Sequence, residues 1–307
     1  MALKSKKVVL LAKIETVYGT DSLPTGAANA ILAINPKLTP LVMTAAARNV
    51  IRPYFGNDGK VIAGKHATLT FDVEVAGAGA AGSAPNYGVL LKGCAFSETL
   101  IALTSAQYAP ISSLEQSVSL YYCVDGVQHK MLGARGSVSI KFTQGGVPMF
   151  SFKFTGLYVL PTDTALPVPT FASVRPVAVT QANTTASLHG YAGIFANVSV
   201  DIANTLAYRN LIGTEDVVFT DRSPVGSFDF ERPAMATKDF FSLALAATAD
   251  AFTLTHGIVA GNKVKIDSPQ VQLGAPSMGS ANNIETLTVA GDLMPSLGND
   301  ELTITVF

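Results

Sequence analysis

Apolar and polar residues alternate along most of this chain, and a period of two marks strands that bury one face. The clearest runs are residues 68–75, 116–124, 136–142, 150–157, 198–202, 225–230, 264–273 and 285–289. Turn chemistry separates several of them, as at Asn57-Asp58-Gly59, Asp125-Gly126 and Gly145-Gly146. Helical signal is confined to two stretches. Residues 85–95, PNYGVLLKGCA, form a short candidate weakened by its glycines. Residues 237–248 are rich in Ala and Leu, with Thr237 as the expected N-cap. The expected fold is mainly β.

Within the alternation lies a repeat. FDVE at residues 71–74 returns as FDFE at 228–231, and Arg48-Asn49-Val50-Ile51 returns as Arg209-Asn210-Leu211-Ile212 ahead of it. Each FDxE strand is followed by small residues and then by a helix candidate. The halves close with Phe154-Thr155-Gly156 before Pro161 and Val289-Ala290-Gly291 before Pro295. Matches kept in one order predict an internal duplication. The first unit then covers 1–160, including an N-terminal arm, and the second covers 186–307. Residues 161–185, with Pro161, Pro167, Pro169 and Pro176, connect them. A length of 307 residues accommodates two moderate domains.

Only 14% of the residues are charged, against about 25% in ordinary soluble domains. Broad neutral surfaces are normally covered by partner subunits, so an oligomer is expected. A net charge of −1 provides no global field for nucleic acid. Cys94 and Cys123, flanked by apolar residues, read as buried thiols of a reducing compartment. After MALKSKK the apolar run 8–12 stops at Lys13, too short for an export signal or a membrane span, so cytoplasmic synthesis is expected.

Motifs for catalysis fail on context. Gly77, Gly79 and Gly82 satisfy GxGxxG, but the strand before them carries Asp72 and Glu74 on one face, whereas a dinucleotide site needs a buried parallel strand. Residues 59–65 look like a P-loop, yet His66 replaces the magnesium-binding hydroxyl and a strand follows. His66, His129, His189 and His256 are dispersed, and no G-x-S-x-G elbow is present. Neither an enzyme nor a cofactor or metal is expected. The acids are more informative. Alternation turns Phe71, Val73 and Val75 to one face and Asp72 and Glu74 to the other, and does the same with Phe228 and Phe230 against Asp229 and Glu231. An isolated sheet would simply solvate such a face; repeated around a ring, it would line a channel.

Residues 11–33, LAKIETVYGTDSLPTGAANAILA, resemble the opening of the major tail tube proteins of long-tailed, siphophage-type bacteriophages. There an AKIET-like element, YGTD and a proline-containing turn precede the first strand of a long hairpin. The resemblance implies two tandem tail-tube-type β-sandwich or barrel domains, each with a long β-hairpin and one short helix. Their hairpins would join those of neighbours in an inner β-barrel, and stacked rings would form the conduit for genome ejection. Members commonly carry one such domain and form six-membered rings, so two copies per chain imply a homotrimer with pseudo-sixfold symmetry. Asp72, Glu74, Asp229 and Glu231 would face the lumen, keeping double-stranded DNA in transit without specific binding. Arg52, Pro53, Tyr54 and Phe55, with Thr214, Glu215 and Asp216, would touch the adjacent ring. Further implied partners are the tape measure and tail terminator proteins, with no membrane, and the location is the virion tail. The alternative is a carbohydrate-binding or adhesive β-sandwich of a virion or surface structure, although the chain has no Trp and its nine Tyr are scattered.

Overall fold

A computed structural model describes residues 3–48, 50–171 and 174–307. The chain opens with β1 (Val8–Ile14), the single-turn α1 (Gly26–Asn29) and β2 (Ala30–Ile31), then a long hairpin of β3 (Ile34–Ala47) and β4 (Lys60–Glu74). Next come α2 (Gly88–Lys92), β5 (Phe96–Ile101), β6 (Ser105–Pro110), β7 (Val118–Val124), β8 (Val127–Thr143), β9 (Met149–Tyr158) and the brief β10 (Thr162–Asp163). β11 (Thr184–Leu188) and β12 (Phe195–Asp201) lead to a second hairpin, β13 (Asn204–Leu211) and β14 (Thr214–Arg222), and to β15 (Val225–Glu231). After α3 (Phe240–Leu245) follow β16 (Ala249–His256), β17 (Val264–Leu273), β18 (Ser277–Ala281), β19 (Ile284–Met294) and β20 (Thr303–Val306).

The architecture is mainly β, with antiparallel pairing throughout the described ladders. One continuous run of hydrogen-bonded neighbours reads β3, β4, β9, β8, β12, β15, β19, β18. β8 and β17 also belong to the strands behind it. The first part of β8 pairs with β7, which pairs with β1. β17 pairs with β16 and β20, extended by β11 and by β6 with β5. A bulge between Leu132 and Arg135, with Gly133 at φ 56°, bends β8 where it changes layer.

Alternation dictates where the core lies. Phe71 of β4 and Phe150, Phe152 and Phe154 of β9 are buried on two adjacent strands, with ring centroids 5.6 and 6.1 Å apart for Phe71–Phe152 and Phe71–Phe154. In the second half Phe228 meets Phe252 and Phe230 meets Phe240 of α3, each pair at 4.7 Å. Each such side chain contributes roughly 1.5–3 kcal/mol by leaving water. The two sets belong to one connected cluster of buried residues, so no break in the core divides the halves.

Every run read as a strand overlaps one, three of them running one or two residues past its ends, and both helix candidates contain a shorter helix. Three details differ. The N-cap of α3 is Asp239, not Thr237, because its carboxylate accepts from the amides of Phe241 and Ser242, both at 3.0 Å. Strand register sets Phe71 opposite Phe152 and Phe228 opposite Val289. The match of Phe154-Thr155-Gly156 to Val289-Ala290-Gly291 is therefore two residues out of register. Of the repeated RNVI and RNLI, Asn49 lies outside the described residues, while Arg209–Leu211 ends β13.

The GxGxxG loop has a packing explanation. A Cβ on Gly77 would stand 2.1 Å from the Gly261 carbonyl, and the Gly77 and Gly79 amides donate to Asn262 and Gly261 at 2.7 and 2.8 Å. These glycines let backbone from the two halves touch.

Candidate assembly site

The AKIET…YGTD stretch becomes a clamp. Glu15, almost fully buried, accepts from the hydroxyls of Ser117 (2.7 Å) and Ser119 (2.9 Å) and from the amides of Gly19 and Gly133, both at 2.8 Å. Gly19 sits at φ 70°, which brings its amide back onto the carboxylate one turn after leaving β1. Asp21 accepts from the Tyr121 hydroxyl and from Lys130 Nζ at 3.0 Å. Burial alone would raise the Asp21 pKa, but the hydrogen bonds from Tyr121, the Leu23 amide and Lys130 outweigh it and hold the carboxyl below its usual range. Burial, reinforced by the bond to Asp21, pushes Tyr121 up to about 12.

Tyr18 connects this clamp to the second hairpin. Its hydroxyl accepts from the Val217 amide at 2.6 Å, and the Arg135 guanidinium lies 5.0 Å over its ring while donating to the Val217 carbonyl at 2.9 Å. At the base of that hairpin, Asn204 Nδ2 donates to the Cys94 and Gly136 carbonyls. Its far end lies along β4: Asn210 donates to the Ala63 carbonyl, the Lys65 amide donates to the Tyr208 hydroxyl, and Tyr208 packs on His66 at 4.6 Å. Sequence reading missed these roles because the partners are distant along the chain.

Asp72, Glu74, Asp229 and Glu231 are half-buried on the face of the continuous sheet opposite the core. Ser151 Oγ donates to Asp72 at 2.6 Å, and Asn197 Nδ2 donates to Asp229 at 2.9 Å. Alternation adds Asp201 and Asp292 to this face, and also Lys37, Lys141 and Lys153. The surface is mixed in charge with acids in excess.

Arg52, Pro53, Tyr54 and Phe55 occupy the loop between β3 and β4. Asp58 closes this loop by accepting from the Val50 amide and pairing with Arg52 at 2.7 Å, and Gly59 at φ 70° starts the return. Ile51, Tyr54 and Phe55 are left projecting into solvent. In the second hairpin Gly213 makes the turn and Thr214, Glu215 and Asp216 begin β14; Arg209 grips Asp216 with two bonds of 2.9 and 2.6 Å, and Ile212 projects. The two loops are thus built differently, one long and apolar, one tight and charged.

Buried histidines and cysteines do not form a centre. Cys94 and Cys123 are free and buried, and burial raises the pKa of each. No group of metal-ligating side chains occurs among the described residues, and none of their helices is long and apolar enough to cross a membrane.

Strand edges at β3 and β18 without a partner among the described residues, an apolar tip on the first hairpin and a polar sheet face over a continuous core define a β-structured protein with surfaces suited to contact with other chains. A family model for the phage tail tube protein matches residues 5–293, and the chain belongs to that family. It is a structural protein of the virion tail, assembling with itself into a tube alongside other tail proteins. No curated protein matches the chain individually.

Proposed function

We propose that this chain is an internally duplicated tube subunit, three copies of which close a ring, and that stacked rings form the conduit through which the genome leaves. The observation that carries this reading is the agreement of two pairing schemes. β4, with FDVE, lies between the outgoing strand β3 and β9; β9 continues to β8, β7 and β1, with α2 following β4. β15, with FDFE, lies between β12 and β19; β19 continues to β17, β16 and β11, with α3 following β15. Two units, 1–160 and 186–307 joined by 161–185, account for both.

Size supports several chains over one. An eight-strand barrel has an interior just filled by side chains. Three chains supplying this sheet give ~24 strands, hence a circumference of ~115 Å and a backbone diameter of ~37 Å before tilt. Asp72, Glu74, Asp229 and Glu231 then face the lumen, and their excess over the lysines keeps anionic DNA from being held. The tape measure and tail terminator proteins occupy and cap such a tube. Electron microscopy of the purified chain tests the reading: hollow tubes support it, and compact dispersed particles under all assembly conditions contradict it. Replacing the four acids by Lys leaves tubes intact and slows ejection; ejection at the normal rate overturns the role of the charge.

A further inference from the structure

The seam between the two halves is a template for the seam between chains. β8 and β12 pair across the halves, setting Ser139 opposite Asp201, Ile140 opposite Val200, Lys141 opposite Ser199 and Thr143 opposite Asn197. Ile140 and Val200 are both buried, so this join seals the core as well as the backbone. β17 and β18 both lie along β19 as the single long β8 lies along β9, so β18 takes the place of the second part of β8 and β3 that of β12; the outer edges of β18 and β3 carry no partner among the described residues.

Correspondence is fixed by register. Val200 lies opposite Gly226, two residues before Phe228; Leu38 lies opposite Leu69, two residues before Phe71. Leu38 therefore takes the place of Val200. Ile140 lies opposite Phe150, two residues before Phe152, the partner of Phe71; Met278 lies opposite Leu287, two residues before Val289, the partner of Phe228. Met278 therefore takes the place of Ile140.

We infer that β18 of one chain pairs antiparallel with β3 of the next, with Met278 opposite Leu38, Ser277 opposite Thr39 and Gly279 opposite Lys37. The partner is a second copy of this chain, and the inference rests on the tube-subunit reading above. Its chemistry repeats the internal seam: an apolar pair toward the core, small and polar residues toward the other face. Met278 is 64% exposed in the single chain, an apolar side chain on an open edge that the pairing covers. The distal arms of the first hairpin agree. In the second hairpin the corresponding arms are clamped by Tyr18 and Arg135 of the other half, whereas Leu41, Met43, Val61 and Ile62 stay exposed for the neighbouring chain to cover. Pro36 and the left-handed Asn35 (φ 49°) bulge β3 just before the paired stretch, which blunts the edge against longer, out-of-register pairing.

Directly opposed antiparallel residues have Cα atoms about 4.5–5.5 Å apart, within the ~4.4–6.8 Å that a disulfide spans. A chain carrying Leu38→Cys and Met278→Cys, assembled and then oxidised, is expected to run as a closed covalent oligomer in non-reducing denaturing gels. Leu38→Cys with Ala281→Cys, out of register, is expected to stay monomeric; the native cysteines are buried and do not interfere. In parallel, hydrogen exchange on the unmodified protein is expected to show the Leu38 and Met278 amides slowing on assembly, because the amides at their places in the internal seam, Val200 and Ile140, lie in its hydrogen-bonded pairs. Tubes that form while the first pair stays uncrosslinked, or while those amides exchange as in the free chain, overturn the register and leave the tube reading standing. Absence of tubes from the unmodified chain removes that reading itself.

Discussion

Glu15 is a carboxylate with donors on every side and almost no water around it. Its removal orphans two amides and two hydroxyls, each costing about 1–3 kcal/mol when left without a partner. Glu15→Ala is expected to destabilise the chain by about 3–5 kcal/mol, read as a lower urea midpoint, whereas Glu15→Gln keeps part of the acceptor capacity and loses less. Equal midpoints for Ala and wild type contradict the clamp. Histidines set the pH response. His256 is held between the Thr184 hydroxyl (Nδ1, 2.8 Å) and the Val177 carbonyl (Nε2, 3.1 Å), so Nε2 carries the proton and the neutral ring fits. His189 gives Nε2 to the Val271 carbonyl, and its buried Nδ1 has no partner. Burial lowers the pKa of both below the ordinary 6.5. A depressed pKa means the unfolded chain binds protons first, so this stability is complete above about 6.5 and is lost as pH falls toward the folded value. Denaturation midpoints are expected to fall from pH 7 to pH 5, and less steeply in His256→Gln; a flat profile contradicts the buried neutral rings.

At the scale of elements, we propose that the projecting tip between β3 and β4 makes the contact between rings. Ile51, Tyr54 and Phe55 are exposed and Asp58 holds the loop in shape without them, so replacing all three by Ser leaves the fold and its melting temperature intact. Electron microscopy is expected to find rings or free subunits in place of long tubes; tubes of ordinary length contradict the assignment. Strands such as β4, β9, β15 and β17 were legible because burial of one face writes the alternation, whereas β6, β16 and β20 also bury alternate residues and were not read. β18 is exposed along its whole length and β3 along most of it, so neither carries that signal; their pattern awaits a neighbour. Register was not legible either. A slip of two residues keeps every side chain on its face, which is why Gly156 and Gly291 looked equivalent in sequence although β9 and β19 place them differently. Thr237 and Asp239 are both good caps by type, and only the backbone path selects Asp239. The clamp around Glu15, Tyr18 and Asp21 escaped composition and spacing because Ser117, Tyr121, Lys130 and Val217 reach it through the fold.

For the whole molecule, low charge, open edges and a sheet shared by both halves have one common cause in assembly. The internal join of β8 to β12 lies within one chain, so in the proposed ring half of the seams would need no encounter between subunits. In the proposed ring the remaining seams would carry different chemistry, with Met278 and Leu38 in place of Ile140 and Val200, and the two tips would differ in the same alternating way. The proposed three-chain ring would then have threefold symmetry with a sixfold outline. A reconstruction of the assembled tube by electron cryomicroscopy, computed without imposed symmetry, measures this directly. The account predicts three chains per ring, six similar hairpins around the lumen, and long apolar tips alternating with short charged ones. Six full chains per ring, or halves that occupy unrelated positions around the axis, would contradict it.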